Sequence, residues 1–107
     1  MALVAHYQGI DDVLKSYRMA LKLNNLPIAC IYLFGSYAKG TEREQSDIDL
    51  AVFWDTNTLN RLEADIQLLK LTRTIDLRIE PHSFCNEDMA DPDPFVREIL
   101  THGKRLE

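Results

Sequence analysis

The chain has 107 residues and a mass of 12.3 kDa, a size that fits a single domain over residues 1–107. Hydrophobic residues make up 46% of it and charged residues 27%, so intrinsic disorder and collagen-like repeats are excluded. Twelve Lys and Arg against seventeen Asp and Glu give a formal net charge of −5, and the basic residues are scattered singly. Because nucleic-acid binding depends mainly on a basic surface, this balance makes a nucleic-acid partner unlikely.

The sequence also bears on where the protein works. No apolar run approaches the ~20 residues that a membrane-spanning helix needs, and residues 1–10 lack the features of a secretory signal. The two cysteines, Cys30 and Cys85, are too few for a disulfide framework and do not have CxxC spacing. We therefore expect a reduced, cytoplasmic protein without a membrane partner.

The first half of the chain predicts a helix and two strands. Apolar residues recur at helical spacing across residues 10–21. Residues 28–34 (IACIYLF) form a continuous apolar run, which is typical of a strand covered on both faces. A turn or short helix at residues 35–40 and a polar loop follow. Residues 47–53 then alternate, which predicts a strand with one face in the core, formed by Ile48, Leu50 and Val52.

The second half predicts two further helices and a strand. An apolar stripe at helical spacing predicts a helix, and its members are Leu59, Leu62, Ile66 and Leu69. Residues 74–80 alternate again and predict a strand that Pro81 would end. Asp93 followed by proline predicts the start of a last helix, and Gly103 its end. Together the elements predict a small α/β (α+β) domain, with a mixed sheet of three or four strands backed by helices.

Two carboxylates stand two residues apart at the start of the second predicted strand. Side chains at positions i and i+2 of a strand lie on the same face, with Cα atoms about 7 Å apart, so Asp47 and Asp49 repel each other. A divalent cation between them removes that repulsion, and carboxylate oxygens suit Mg²⁺ or Mn²⁺ bound to substrate phosphates. The pair therefore predicts a metal site.

Gly35 and Ser36 directly follow the first predicted strand. Glycine permits a sharp turn and lets a ligand approach the backbone closely. Serine offers a hydroxyl and begins a run of N–H groups at a helix start, which is typical of an anion site. Phosphate donors beside metal-binding carboxylates are the parts of a phosphoryl or nucleotidyl transfer site.

This pattern resembles the signature of the polymerase-β-like nucleotidyltransferase superfamily, and most closely its small members, the minimal nucleotidyltransferase (MNT) domains. The matching motifs are Leu33-Phe34-Gly35-Ser36, the residues YAKG, and Asp47-Ile48-Asp49-Leu50. The resemblance implies that Asp47 and Asp49 ligate Mg²⁺ (or Mn²⁺) bound to the triphosphate of ATP or another NTP. Gly35 and Ser36 would hold the outer phosphates. An acceptor hydroxyl would then attack the α-phosphorus, and pyrophosphate would leave.

The superfamily has a third acid on the following strand, which completes the metal site and helps to deprotonate the acceptor. Asp76 matches it best, because an apolar residue precedes it and a strand is predicted to follow, and Glu80 on the same predicted face is the alternative. Lys39 and Arg43 are candidate phosphate contacts, although lone basic loop residues are commonly only solvated. His82 follows the predicted strand end near the expected cleft, where it could contact the nucleotide. A surface or loop position is the commoner outcome for a histidine, and no second histidine stands at ligand spacing.

The resemblance also implies a partner. MNT domains often pair with a helical HEPN-domain protein in toxin–antitoxin modules, and the MNT antitoxin can adenylylate a tyrosine of that partner. This implies an enzyme that moves AMP to a hydroxyl of a HEPN-domain protein. The alternative is a catalytically silent module that only binds nucleotide or partner, and the intact motifs argue against it. The short chain leaves apolar faces to cover, which also favours a homo-oligomer.

Overall fold

The computed structural model describes residues 9–107 and arranges them as a four-stranded sheet with helices on both faces. The elements in chain order are α1 (Ile10–Leu23), β1 (Ile28–Phe34), α2 (Ser36–Lys39), β2 (Ile48–Trp54), α3 (Arg61–Thr72), β3 (Ile79–Phe84), α4 (Asn86–Ala90), α5 (Pro94–His102) and β4 (Lys104–Arg105). The strand order is β3-β2-β1-β4, with β1 antiparallel to β2 and β4, and β2 parallel to β3. The predicted mixed sheet backed by helices is confirmed.

The first face of the sheet is covered by α1 and α3. Its buried strand residues pack against buried apolar residues of the two helices, among them Val13, Leu14 and Leu21 of α1. Tyr17 is fully buried between the helices, and its hydroxyl donates a hydrogen bond of 2.8 Å to the carbonyl oxygen of Leu68. Burial raises the pKa of Tyr17, so the hydroxyl stays protonated and holds α1 against α3.

The second face of the sheet is covered only in part, by α5. Ala51 and Phe53 of β2 are fully buried there, in a cluster that includes Val96 and Ile99 of α5. The prediction that β2 has a single buried face was therefore wrong for the second half of the strand, because α5 packs on the opposite side. At the first half of the strand the Asp49 side chain remains 25% exposed. This uncovered part of the second face is where ligands can reach the sheet.

The third strand begins and ends later than the sequence predicts. Residues 74–80 alternate, but the main chain turns at the end of α3, where the N–H groups of Ile75 and Asp76 donate to the Thr72 carbonyl. β3 therefore covers Ile79–Phe84 and contains Pro81, which was predicted to end it. β3 lies at the edge of the sheet, where a residue without an N–H group can be accommodated.

The predicted helix over the apolar stripe is confirmed as α3, but Leu59 lies before it and packs against the core, and the other three members do not face the core. Leu62, Ile66 and Leu69 are 72%, 43% and 48% exposed, whereas Ala64 and Leu68 are buried. The reason is that α3 also carries small and apolar residues on its other side, and these fit against β2 and β3. The stripe is left on the solvent side of the helix.

The last helix begins and ends as predicted. The Asp93 side chain accepts the N–H of Val96 at 2.8 Å, Pro94 is the first helical residue, and Gly103 is the C-cap. Cys30 is buried and Cys85 is partly buried, and neither forms a disulfide within residues 9–107. None of the helices in that range is long and apolar enough to cross a membrane.

Candidate functional site

β1 ends in a turn at Gly35 that lies directly against Asp49. Gly35 has φ +75° and ψ −153°, and a Cβ atom at this position would overlap Asp49 Oδ2. Only glycine adopts this conformation without strain, so both the backbone and the available space require it. α2 begins at the next residue, and the N–H groups of its first turn have no acceptor within the helix. The turn thus presents backbone donors beside a carboxylate of the neighbouring strand.

The parallel pairing of β2 with β3 brings acidic residues together on the uncovered part of the second face. Asp49 is the register partner of Glu80, and both are joined by His82 two residues further along β3. Asp49, Glu80 and His82 each offer one ligand atom, and these atoms lie within 4.8 Å of one another. The His82 Nε2 atom lies 3.9 Å from an oxygen of each carboxylate. Asp47, one position before β2, is close enough to Glu80 to raise the pKa of its carboxyl group.

Neighbouring acids raise the pKa of Asp49 and of Glu80. Burial, followed by the charge of Asp47, raises the pKa of Asp49, and His82 acts in the opposite direction. The close approach of the Asp47 carboxylate, followed by burial and the charge of Asp49, raises the pKa of Glu80, and His82 lowers it. A divalent cation would relieve this repulsion, and a set of carboxylate oxygens with one imidazole nitrogen fits Mg²⁺ or Mn²⁺.

Asp76, the better sequence match for the third acid, binds an arginine in the turn before β3. Its Oδ2 lies 2.7 Å from Arg78 Nη2, and its Oδ1 accepts the backbone N–H of Arg78 at 2.9 Å. These hydrogen bonds lower the pKa of Asp76. Arg78 also donates to the Tyr37 hydroxyl at 3.2 Å, which ties the turn to α2. The structure therefore brings Glu80, and not Asp76, next to Asp49.

The two candidate phosphate contacts lie on α2 and in the loop that follows it. Lys39 is exposed at the end of α2, and Arg43 is exposed in the loop before β2. The backbone N–H of Arg43 donates to Ser46 Oγ at 2.7 Å, which orders that part of the loop. Neither basic side chain forms an ion pair within residues 9–107, so both remain available to an anion.

A cavity of about 260 Å³ opens beside the Gly35 turn, between α2 and α5. Its walls are largely apolar, and its lining includes Phe34, Ala38, Lys39, Phe95, Ile99 and His102. The Phe34 ring stands between the cavity and the acids, with its centre 5.5 Å from the His82 ring and 5.7 Å from the Phe95 ring. The Gly35 turn therefore borders both the acids and the cavity.

Sequence reasoning undervalued His82. The predicted strand end at Pro81 and the lack of a second histidine at ligand spacing favoured a surface or loop position, yet His82 lies within β3. The signal that could have identified it is its spacing: His82 follows Glu80 by two residues, so a strand that continued through Pro81 would place both side chains on one face.

Comparison with known proteins identifies the family and the fold. A family model described as polymerase beta, nucleotidyltransferase matches residues 18–106. The chain is 31% identical over 84 residues to the protein adenylyltransferase MntA of Shewanella oneidensis. The aligned region covers 78% of this chain and 57% of MntA. It also resembles a crystal structure of a toxin–antitoxin with AMP-PNP, with a TM-score of 0.63, 28% identity and coverage of 87% of this chain and 71% of the other. A mutant MntA–HpeT toxin–antitoxin structure gives a TM-score of 0.61 at 26% identity, with the same two coverages.

Proposed function

This chain belongs to the polymerase β nucleotidyltransferase family, and on that premise we propose that it transfers AMP from ATP to a hydroxyl group of a partner protein. The observation that carries the proposal is the convergence of Asp47, Asp49 and Glu80 beside the Gly35 turn. The partner we propose is a HEPN-domain toxin, with this chain as its antitoxin. Support comes from the likeness to MntA, named a protein adenylyltransferase, and to toxin–antitoxin structures, one of them with AMP-PNP.

We propose that Asp47, Asp49 and Glu80 hold the divalent cation, with His82 beside them. When bound, Mg²⁺ or Mn²⁺ would neutralise the triphosphate and polarise its oxygens. The N–H groups at the start of α2, the Ser36 hydroxyl and the side chains of Lys39 and Arg43 would hold the outer phosphates. These donors and carboxylates adjoin at the Gly35 turn, so they can act on the same triphosphate.

Glu80 is the residue we propose as the acceptor of the proton. Its pairing with Asp49 across the two strands places its carboxylate beside the proposed cation site, where it can accept the proton of an acceptor hydroxyl. The acceptor oxygen would form a bond to the α-phosphorus. At the same time, the bond between the α-phosphorus and the oxygen that bridges it to the β-phosphorus would break. The hydroxyl proton would pass to Glu80, and pyrophosphate would leave with the electron pair of the broken bond.

Paired substitutions at the two candidate third acids test this function. Glu80→Gln is expected to reduce the transfer of label from α-labelled ATP to a HEPN-domain partner by about a hundredfold or more, because a positioned base is worth that much. Asp76→Asn is expected to keep transfer within a few-fold, since Asp76 binds Arg78, although it should lower the melting temperature. A wild-type protein that binds MgATP but never labels the partner would instead support the silent module.

The cavity between α2 and α5 is the place we propose for the nucleoside of ATP. Its aromatic and aliphatic walls suit a purine, and it borders the turn proposed to hold the phosphates. Phe95→Ala is expected to raise the KM for ATP about tenfold, because stacking of a base on an aromatic ring is worth roughly 1–3 kcal/mol. Binding of inorganic tripolyphosphate with Mg²⁺, measured by calorimetry, should not change, and equal weakening of both ligands would contradict this placement.

A further inference from the structure

α3 carries apolar side chains on its solvent side as well as on its core side. Leu62, Ile66 and Leu69 are all substantially exposed and are separated by four and then three residues. That spacing is the alternation of a coiled-coil seam, which lets two helices pack along a narrow apolar stripe. Exposed single hydrophobic residues are ordinary on protein surfaces, but a continuous stripe on one helix is typical of an interaction surface.

Opposite charges border this stripe at its two ends. Glu63 and Lys70 lie on the same edge of the stripe, seven residues and about two turns apart, and both are exposed. Neither side chain forms an ion pair with another residue in the part of the chain that the structure describes. By contrast, Arg61 is engaged with Asp88 at 2.8 Å, and Asp65 accepts the N–H of Ser83. The outward edge of α3 is therefore acidic near its start and basic near its end.

We propose that a second copy of this chain docks on α3, with the two α3 helices antiparallel and Ile66 near the two-fold axis. In this arrangement Glu63 of each copy faces Lys70 of the other, so the same pair forms twice. A parallel arrangement would place these charged edges on opposite sides of the seam, where Glu63 and Lys70 of the two copies could not pair. Antiparallel packing also places the positive end of each helix dipole beside the negative end of the other, which is favourable. Rotation about the two-fold axis therefore brings each of these charges opposite a charge of the other sign, as a homodimer requires.

The dimer leaves the candidate active site open. α3 packs on the first face of the sheet, whereas Asp49 and Glu80 lie on the second face. Three apolar side chains and two ion pairs form a smaller contact than the ~800 Å² per partner of a standard interface. We therefore expect a reversible dimer whose fraction rises with protein concentration and falls with salt, because exposed ion pairs are screened.

Sedimentation equilibrium of the full chain tests the surface. The wild-type protein is expected to show a monomer–dimer equilibrium, and Ile66→Glu is expected to abolish the dimer. Met19→Glu is the matched control, because Met19 is also exposed, at 54%, but lies on α1 outside the stripe. A wild-type protein that stays monomeric at all concentrations, or a dimer that Met19→Glu disrupts as strongly as Ile66→Glu, would overturn the proposal.

Charge swaps test the orientation and the identity of the occupant. Glu63→Lys and Lys70→Glu should each raise the dimer dissociation constant several-fold at low salt, because each sets like charges face to face. The double variant Glu63→Lys/Lys70→Glu should restore the wild-type value, and an equimolar mixture of the two single variants should form a heterodimer. If the double variant does not restore the wild-type dissociation constant, the antiparallel dimer is wrong. If the single variants instead weaken binding to a HEPN-domain protein and leave self-association unchanged, a different partner covers α3.

Discussion

The Asp49→Asn variant is expected to lose metal-dependent transfer of AMP by roughly a thousandfold or more while remaining folded. The amide keeps the size of the side chain and leaves room for the Gly35 turn, but it removes the charge that faces Glu80 and Asp47. The same variant should lose the rise in melting temperature that MgATP gives the wild type. That rise corresponds to ~2.7 kcal/mol at a hundredfold excess of ligand over its Kd.

Without metal, the Asp49→Asn variant should be more stable than the wild type. The pKa of Asp49 is raised above its ordinary value of 3.8, so its stabilising contribution is complete only below that value and is lost as pH rises through the folded-state pKa. At neutral pH the ionised carboxylate therefore costs the metal-free protein stability that the amide does not. We expect a higher melting temperature without metal, measured by calorimetry in EDTA.

Asp91→Asn provides the control for a simple loss of negative charge. Asp91 is exposed at the end of α4, away from the strands that carry the site. Its replacement should leave both transfer and the MgATP effect within a few-fold of the wild type. If Asp49→Asn transferred AMP normally, or if it melted below the wild type without metal, Asp49 would not be a metal ligand held under electrostatic strain.

The order and type of the elements follow from local patterns, because most of them are fixed by neighbours in the chain. The continuous apolar run of β1 and the capping residues of α5 gave correct boundaries, since neither depends on distant contacts. The face that each element buries depends on tertiary packing instead. α3 has two apolar sides, and only its contact with the sheet decides that Ala64 and Leu68 are buried while Ile66 is not.

The candidate site shows the same division. Gly35 and Asp49 could be identified because a motif joins them across two neighbouring strands, and the structure places them in contact. The sequence left Asp76 and Glu80 open as the acid that neighbours Asp49, because the choice depends on the register of a parallel pair that is far apart in sequence. A shift in the start of β3 from the predicted position to Ile79 is enough to place Glu80 there instead of Asp76.

Gly35→Ala is expected to abolish transfer and to destabilise the protein. The φ and ψ angles of Gly35 lie in a region that is essentially restricted to glycine and costs other residues about 1–3 kcal/mol. The added Cβ would also overlap Asp49 Oδ2, so the carboxylate has to rotate away from Glu80 and the turn. Chemical denaturation and the labelled-ATP assay measure the two effects separately.

Gly40→Ala separates the loss of stability that comes from the backbone conformation from the loss that comes from steric overlap. Gly40 also has a positive φ, of +72°, but a Cβ there would meet no heavy atom within 4 Å. This variant should lose about 1–2 kcal/mol of stability through its left-handed conformation and keep its transfer activity. In an Asp49→Ala background, where the overlapping oxygen is gone, Gly35→Ala should cost less stability than it does in the wild type. Equal costs in the two backgrounds would mean that Gly35 is required by the backbone alone, and not by the carboxylate packed against it.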